Sequence, residues 1–308
     1  MPRISTSQAN LASLQNFLNG QSDLVKSQAQ VSSGKKATDL KGLVKELGTL
    51  NAARSVIARS KGAVDRIAEL EPKLAIQDAA FEQLSGAGDA IRQNLIGSLG
   101  LNDGLLIING LQSALDQVSN ALNQKFAGNS IFGGSKVDTK PFTANSLADL
   151  AAAAQVSDLF QNSDVKPVSR IDDGVVIETG FLADDVATDV VSIIKAIKDF
   201  NDGANGPFTA SLTAAQRTFI ESQLAAIAPA LDALNQVQGE NGLLQARVEA
   251  TKIQEEERQV LLTGVIGDLE DVDMAEAVSR LQQVQTAVEA SARTFNILSS
   301  TSLLNFLR

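Results

Sequence analysis

The 308-residue chain has no cysteine, histidine, tryptophan or tyrosine, and phenylalanine is its only aromatic residue. Each absence removes a kind of chemistry. Without Cys or His there is no thiolate nucleophile, Ser-His-Asp triad, His-bearing zinc site or HExxH helix, because the obligatory base or ligand is missing. Pairs of Asp and Glu remain as candidate acids and bases, but a sugar cleft usually has Trp and Tyr walls, and this chain has neither. The expectation is a protein that is not an enzyme, with no catalytic residue, metal or cofactor. A chain without thiols also suits an oxidising or extracellular destination, where a stray thiol would crosslink.

Positive charge is scarce as well. The 26 Lys and Arg against 36 Asp and Glu leave a net charge of −10. That charge repels phosphate backbones and anionic membrane surfaces, and no Tyr or Trp is present to stack on bases, so neither nucleic acid nor membrane is an expected partner. No run approaches the roughly 18 apolar residues that span a bilayer. The opening "MPRISTSQANLASLQNFLNG" alternates polar with apolar residues and lacks the continuous apolar core of a secretory signal peptide. Export, if it occurs, is expected without a cleavable leader.

What the sequence does contain is helical periodicity. Near the end, Met274, Ala277, Leu281, Val284, Val288, Ser291, Phe295 and Leu298 alternate steps of three and four, the seven-residue repeat of a coiled-coil seam. Leu303 and Leu304 follow in the tail. At the start, Ile4, Leu11, Leu14, Leu18 and Val25 make a shorter stripe that Gln21 and Gln28 continue in polar form. Three internal stripes read as the inside of an ordinary bundle: Ile67 to Leu95, Ile108 to Leu122 and Ile220 to Leu234. Pro72 and Pro229 each predict a kink or a new helix start, and Gly239 and Gly242 weaken the case for helix continuing to Leu269.

Between about Gly128 and Phe208 the texture changes. "GNSIFGGSKVDTKPF" is rich in turn residues, and "VKPVSRIDDGVVIETG" predicts two short strands, Val165 to Ile171 and Val175 to Thr179, joined through Asp172, Asp173 and Gly174. The predicted fold is mainly α: a long antiparallel helical bundle or coiled coil from both termini, with a small mixed α/β insert. Residues 1–40 and 265–308 form the terminal coiled coil, 41–140 and 208–264 the bundle core, and 141–207 an outward-facing insert.

The chain ends also differ in charge. Arg3, Lys26, Lys35 and Lys36 outweigh Asp23 at one end, and an acidic run that includes Asp268, Glu270, Asp271 and Asp273 dominates the other. Pairing between them would set register more than stability, and the four acids would complement the positive end of the last helix. "SSGKK" at Ser32 to Lys36 fails as a phosphate loop, because Ala29 stands where the first Gly is needed and Lys36 where Ser or Thr is needed. "DVDMAE" fails as a calcium loop, because Ala275 occupies the turn-Gly position. The terminal stripes are diluted with Ala, Ser and Gln, so two of them alone bury little apolar area. Helices of that kind need several copies packed together.

"LEDVDMAEAVSRLQQVQTAVEAS", Leu269 to Ser291, resembles the C-terminal signature of the bacterial flagellin family, and "SLLNFLR" resembles its Leu-rich tail. "QVSSGKKATDL", Gln30 to Leu40, is similar to the turn after the family's first helix, although the acidic pair that usually follows is reduced here to Asp39. This resemblance implies an inner coiled coil made by both termini, polymerisation with other copies of the chain outside the cell, and export through the flagellar type III apparatus with a dedicated chaperone. Neighbouring axial proteins, the hook-associated proteins and flagellin, are the other implied partners. "NSIFGGSKVDTKPF" is similar to a stretch of the family's hook–filament junction subunits, and the small insert and length suit them too. A junction subunit is therefore favoured over a filament subunit, with an exported adhesin that uses the insert as a more distant alternative.

Overall fold

The structure, a computed structural model, describes residues 2–37 and 39–304. It is mainly helical, with α1 Pro2–Ser33, α2 Leu47–Leu101, α3 Leu105–Leu122, α4 Leu147–Ala152, α5 Ala183–Asp202, α6 Ala214–Glu270 and α7 Met274–Leu304. Two short hairpins interrupt the helices: β1 Lys125–Phe126 with β2 Asn129–Ser130, and β3 Val168–Asp172 with β4 Val175–Glu178, both antiparallel. The chain divides into two compact units, one of residues 1–59 and 257–308 and one of residues 60–256.

In the unit of residues 60–256, α2 and α6 run antiparallel, with a contact ladder that follows directly from their stripes. Gly88 of α2 lies against Leu231, Asn241 donates to the Leu74 carbonyl at 3.1 Å, and Lys252 pairs with Glu71 at 2.9 Å. Ile67, Leu70, Leu74, Phe81, Leu84, Ile91 and Leu95 are all buried, and the stripe that predicted α2 is its core face. Pro72 and Pro229 lie inside their helices and start no new ones. Each proline costs its helix one amide donor, and burial of the neighbouring Leu70, Leu74, Ile227 and Leu231 holds the flanking turns. Gly239 and Gly242 likewise leave α6 unbroken, for buried Asn241 and Val248 anchor that stretch.

Residues 141–207 share their core with the helices. Phe142, Leu150, Phe181, Val190, Ile194 and Ile197 belong to the same buried cluster as Leu84, Ile91 and Leu115. At its centre, Phe81 meets Phe132 and Phe181 edge-on, with ring centroids 5.6 and 5.1 Å away. The second hairpin turns at Asp172–Val175 as predicted, with Gly174 at φ +83°. Its first strand starts later than predicted, at Val168, because Pro167 has no amide to donate; the Pro167 carbonyl accepts from Thr179 and Gly180 instead. The first hairpin was not predicted as a hairpin. Ala127 and Gly128, at φ +49° and +86°, supply the two left-handed residues of a tight turn.

Two glycines predict opposite outcomes. Gly134 sits at φ +63°, and a Cβ there would lie 2.7 Å from the Val165 carbonyl oxygen. Gly134→Val should therefore cost more than about 2 kcal/mol, from left-handed strain plus a backbone clash. Gly86 lies within α2 with open space around it, so Gly86→Ala should stabilise by about 0.5–1 kcal/mol. Urea unfolding followed by circular dichroism reads both changes.

Candidate assembly interface

In the unit of residues 1–59 and 257–308, α1 packs on α7. Gly20 faces Val288 and Gly34 faces Val272, so the pair is antiparallel. On α7 the covered positions are Ala277, Leu281, Val284, Val288, Ser291 and Phe295, the stripe read from the sequence, while Met274 remains 46% exposed. The covered positions on α1 are Ser13, Phe17, Gly20, Leu24, Ser27 and Val31, also in steps of four and three. That seam is not the stripe of large residues. Leu11, Leu14, Leu18 and Val25 are 37–64% exposed and lie about 100° around the helix, one residue on from the seam. The side chains of Ile4, Leu298, Leu303 and Leu304 lie outside the described residues.

Why the chain closes on this row, in which Phe17, Leu24 and Val31 alternate with small residues, follows from space. A Cβ on Gly20 would lie 3.1 Å from Val288 Cγ2, so a larger residue there would push the helices apart. Small Ser13, Gly20 and Ser27 accept the Val and Leu of α7, and the bulkier Leu row remains uncovered. Counting large apolar residues finds that second row and misses the seam; asking which row could approach a neighbour closely would have found it.

At one end of this helix pair, the turn after α1 closes on the turn before α7. Gly34, at φ +69°, reverses the chain, and Lys35 and Asp271 form an isolated antiparallel bridge. The Lys36 amide donates to the Glu270 carbonyl at 2.6 Å, and the Val272 amide to the Gly34 carbonyl at 2.9 Å. Side chains reinforce the closure. Lys35 Nζ lies 2.6 Å from Asp271 Oδ1 and 3.5 Å from Glu270 Oε2, Arg54 pairs with the other Glu270 oxygen, and Lys36 Nζ donates to the Asp268 carbonyl. The Asp271 hydrogen bond holds the Lys35 pKa above its usual value. The contribution of this pair is complete below the ordinary lysine value of 10.5 and disappears only as pH rises through the raised one. Near neutrality the latch is therefore insensitive to Lys35 titration.

The four acids divide their work. Asp273 alone caps α7, accepting from the Ala275 and Glu276 amides at 2.8 and 3.2 Å, whereas Glu270 ends α6 and serves Arg54 and Lys35. Glu270 is 9% exposed and Arg54 sits outside the charged blocks at the chain ends, so the sequence did not point to Arg54. Glu270→Ala should strip Arg54 of its carboxylate and leave Lys35 to Asp271 alone, weakening the latch by about 1.5 kcal/mol. Amide exchange at Lys36 and Val272 should quicken at least tenfold, with exchange in α3 unchanged.

Residues 224–307, which take in most of α6, the acidic side of the latch and α7, match the bacterial flagellin C-terminal helical region. The C-terminal part of this chain is flagellin-like. Over most of its length the chain shares its fold with two solved structures. A chain described as a flagellar hook-associated protein from Vibrio parahaemolyticus is 18% identical, with a TM-score of 0.57 over 76% of this chain and 99% of that one. FlgL from Bacillus cereus is 16% identical, with a TM-score of 0.55 over 71% of this chain and 99% of that one. No curated protein sequence matches the chain. Among the described residues, no helix is long and apolar enough to cross a membrane.

Proposed function

We propose that this protein is a structural, non-catalytic subunit of the bacterial flagellar axis. It assembles with other copies of itself, and with neighbouring axial proteins, through its terminal helices. The observation that carries the reading is the uncovered row Leu11, Leu14, Leu18 and Val25 beside a seam that is already closed within the chain. A monomer leaves that row in water, and a neighbouring helix would cover it. The flagellin C-terminal helical region supports the setting, and the fold shared with FlgL and the hook-associated protein supports a place at the hook–filament junction. Export by the flagellar apparatus, with a chaperone guarding the terminal helices, belongs to the same reading.

Deleting residues 274–308 tests it. The truncated chain should stay soluble and monomeric by sedimentation and fail to join hook or filament. Continued incorporation would overturn the proposal. Counting copies per isolated flagellum then separates the junction from the filament, since a junction needs one small ring and a filament uses the subunit along its whole length.

A further inference from the structure

In the unit of residues 60–256, a cleft of about 320 Å³ opens between α2, Phe126 of β1 and β3. Arg66 and Lys73, seven residues apart on one face of α2, line it opposite Arg170 of β3. The Arg66 Nε donates to the Arg170 carbonyl at 3.0 Å, which positions its guanidinium at the cleft and leaves the rest of the planar fork available. Lys73 is half-buried and makes no hydrogen bond or ion pair among the described residues. Burial lowers its pKa, and no nearby carboxylate offsets that effect. Glu69 also lines the cleft, but it forms no ion pair with any of the three cations. Among the described residues none of these three cations pairs with a carboxylate, which is out of keeping with a chain of net charge −10. Burying an ammonium is unfavourable unless a counter-charge meets it. The base of the cleft is apolar, formed by Leu70 and Ile171 at 6% and 1% exposure.

We propose that this cleft binds a small organic anion. Its carboxylate or phosphate head sits among Arg66, Lys73 and Arg170, and its apolar body rests on Phe126 and Leu70. The volume suits a ligand of this size. The site owes nothing to the assembly helices, so it stands or falls independently of the flagellar reading.

Calorimetric titration of the full chain with phenyl phosphate and with phenylacetate tests the inference, with inorganic phosphate and sodium chloride at matched ionic strength alongside. Either phenyl compound should bind saturably and more tightly than inorganic phosphate. Arg170→Gln and Lys73→Met should each weaken binding at least tenfold while circular dichroism stays unchanged. The Lys73 Cε resonance should also titrate at higher pH in the complex than in the free protein. Heat and Tm changes equal to those with chloride, or binding unaffected by Arg170→Gln and Lys73→Met combined, would overturn the site. Inorganic phosphate binding as tightly as phenyl phosphate would overturn the apolar half of it.

Discussion

Replacing Phe81 with alanine should lower the Tm of the protein by roughly 6–20 °C, the equivalent of about 3–5 kcal/mol for a fully buried aromatic in a unit of this size. Phe81 is 0% exposed and lies where helix and insert meet. Its ring touches Phe132, from the loop after the first hairpin, and Phe181, from the segment before α5, both edge-on. Such pairs add about 0.5–1.5 kcal/mol beyond burial, and removal of the ring loses both at once along with the space it fills. Phe126, only partly buried at the edge of the same cluster, supplies the comparison. Phe126→Ala should cost less than half as much. A Phe81→Ala shift below about 3 °C would mean that the insert does not share its core with α2.

That shared core marks where the sequence stopped being legible. The stripe from Ile67 to Leu95 could be read because its covering partner, α6, carries a matching stripe in the same chain, and both keep helical spacing over many turns. Phe132 and Phe181 stand in irregular segments with no period, so nothing in their spacing announced that they close on Phe81. The charged ends were half legible. Lys35 and Lys36 do meet the acidic run, as the opposite charge predicted, but Arg54 joins from α2, outside either block, and backbone bridging at Lys35–Asp271 leaves no mark in composition. On α1 the same rule that found α7 settled on a row that is not the contact within the chain, because small Ser13, Gly20 and Ser27 interrupt the Phe17, Leu24 and Val31 of the closed seam.

The existence of two rows on α1 gives the second large expected effect. Leu14→Glu with Leu18→Glu should abolish incorporation into the axial assembly and leave the monomer folded. Each leucine buried against a neighbour contributes about 1.5–3 kcal/mol when fully covered. Leu14 and Leu18 are already 37% and 54% exposed, so only part of their surface is new to burial. Taking the low end, the pair still loses on the order of 2 kcal/mol per contact. Two carboxylates must also be desolvated at the same place. Leu24→Glu separates the two rows: Leu24 lies in the covered seam, so this change should open the α1–α7 pair in the monomer itself and speed amide exchange along both helices. If Leu14→Glu with Leu18→Glu also opened the monomer, the Leu row would be part of the internal seam. If it opened nothing and assembly persisted, neighbouring copies would have to meet through another face of the molecule.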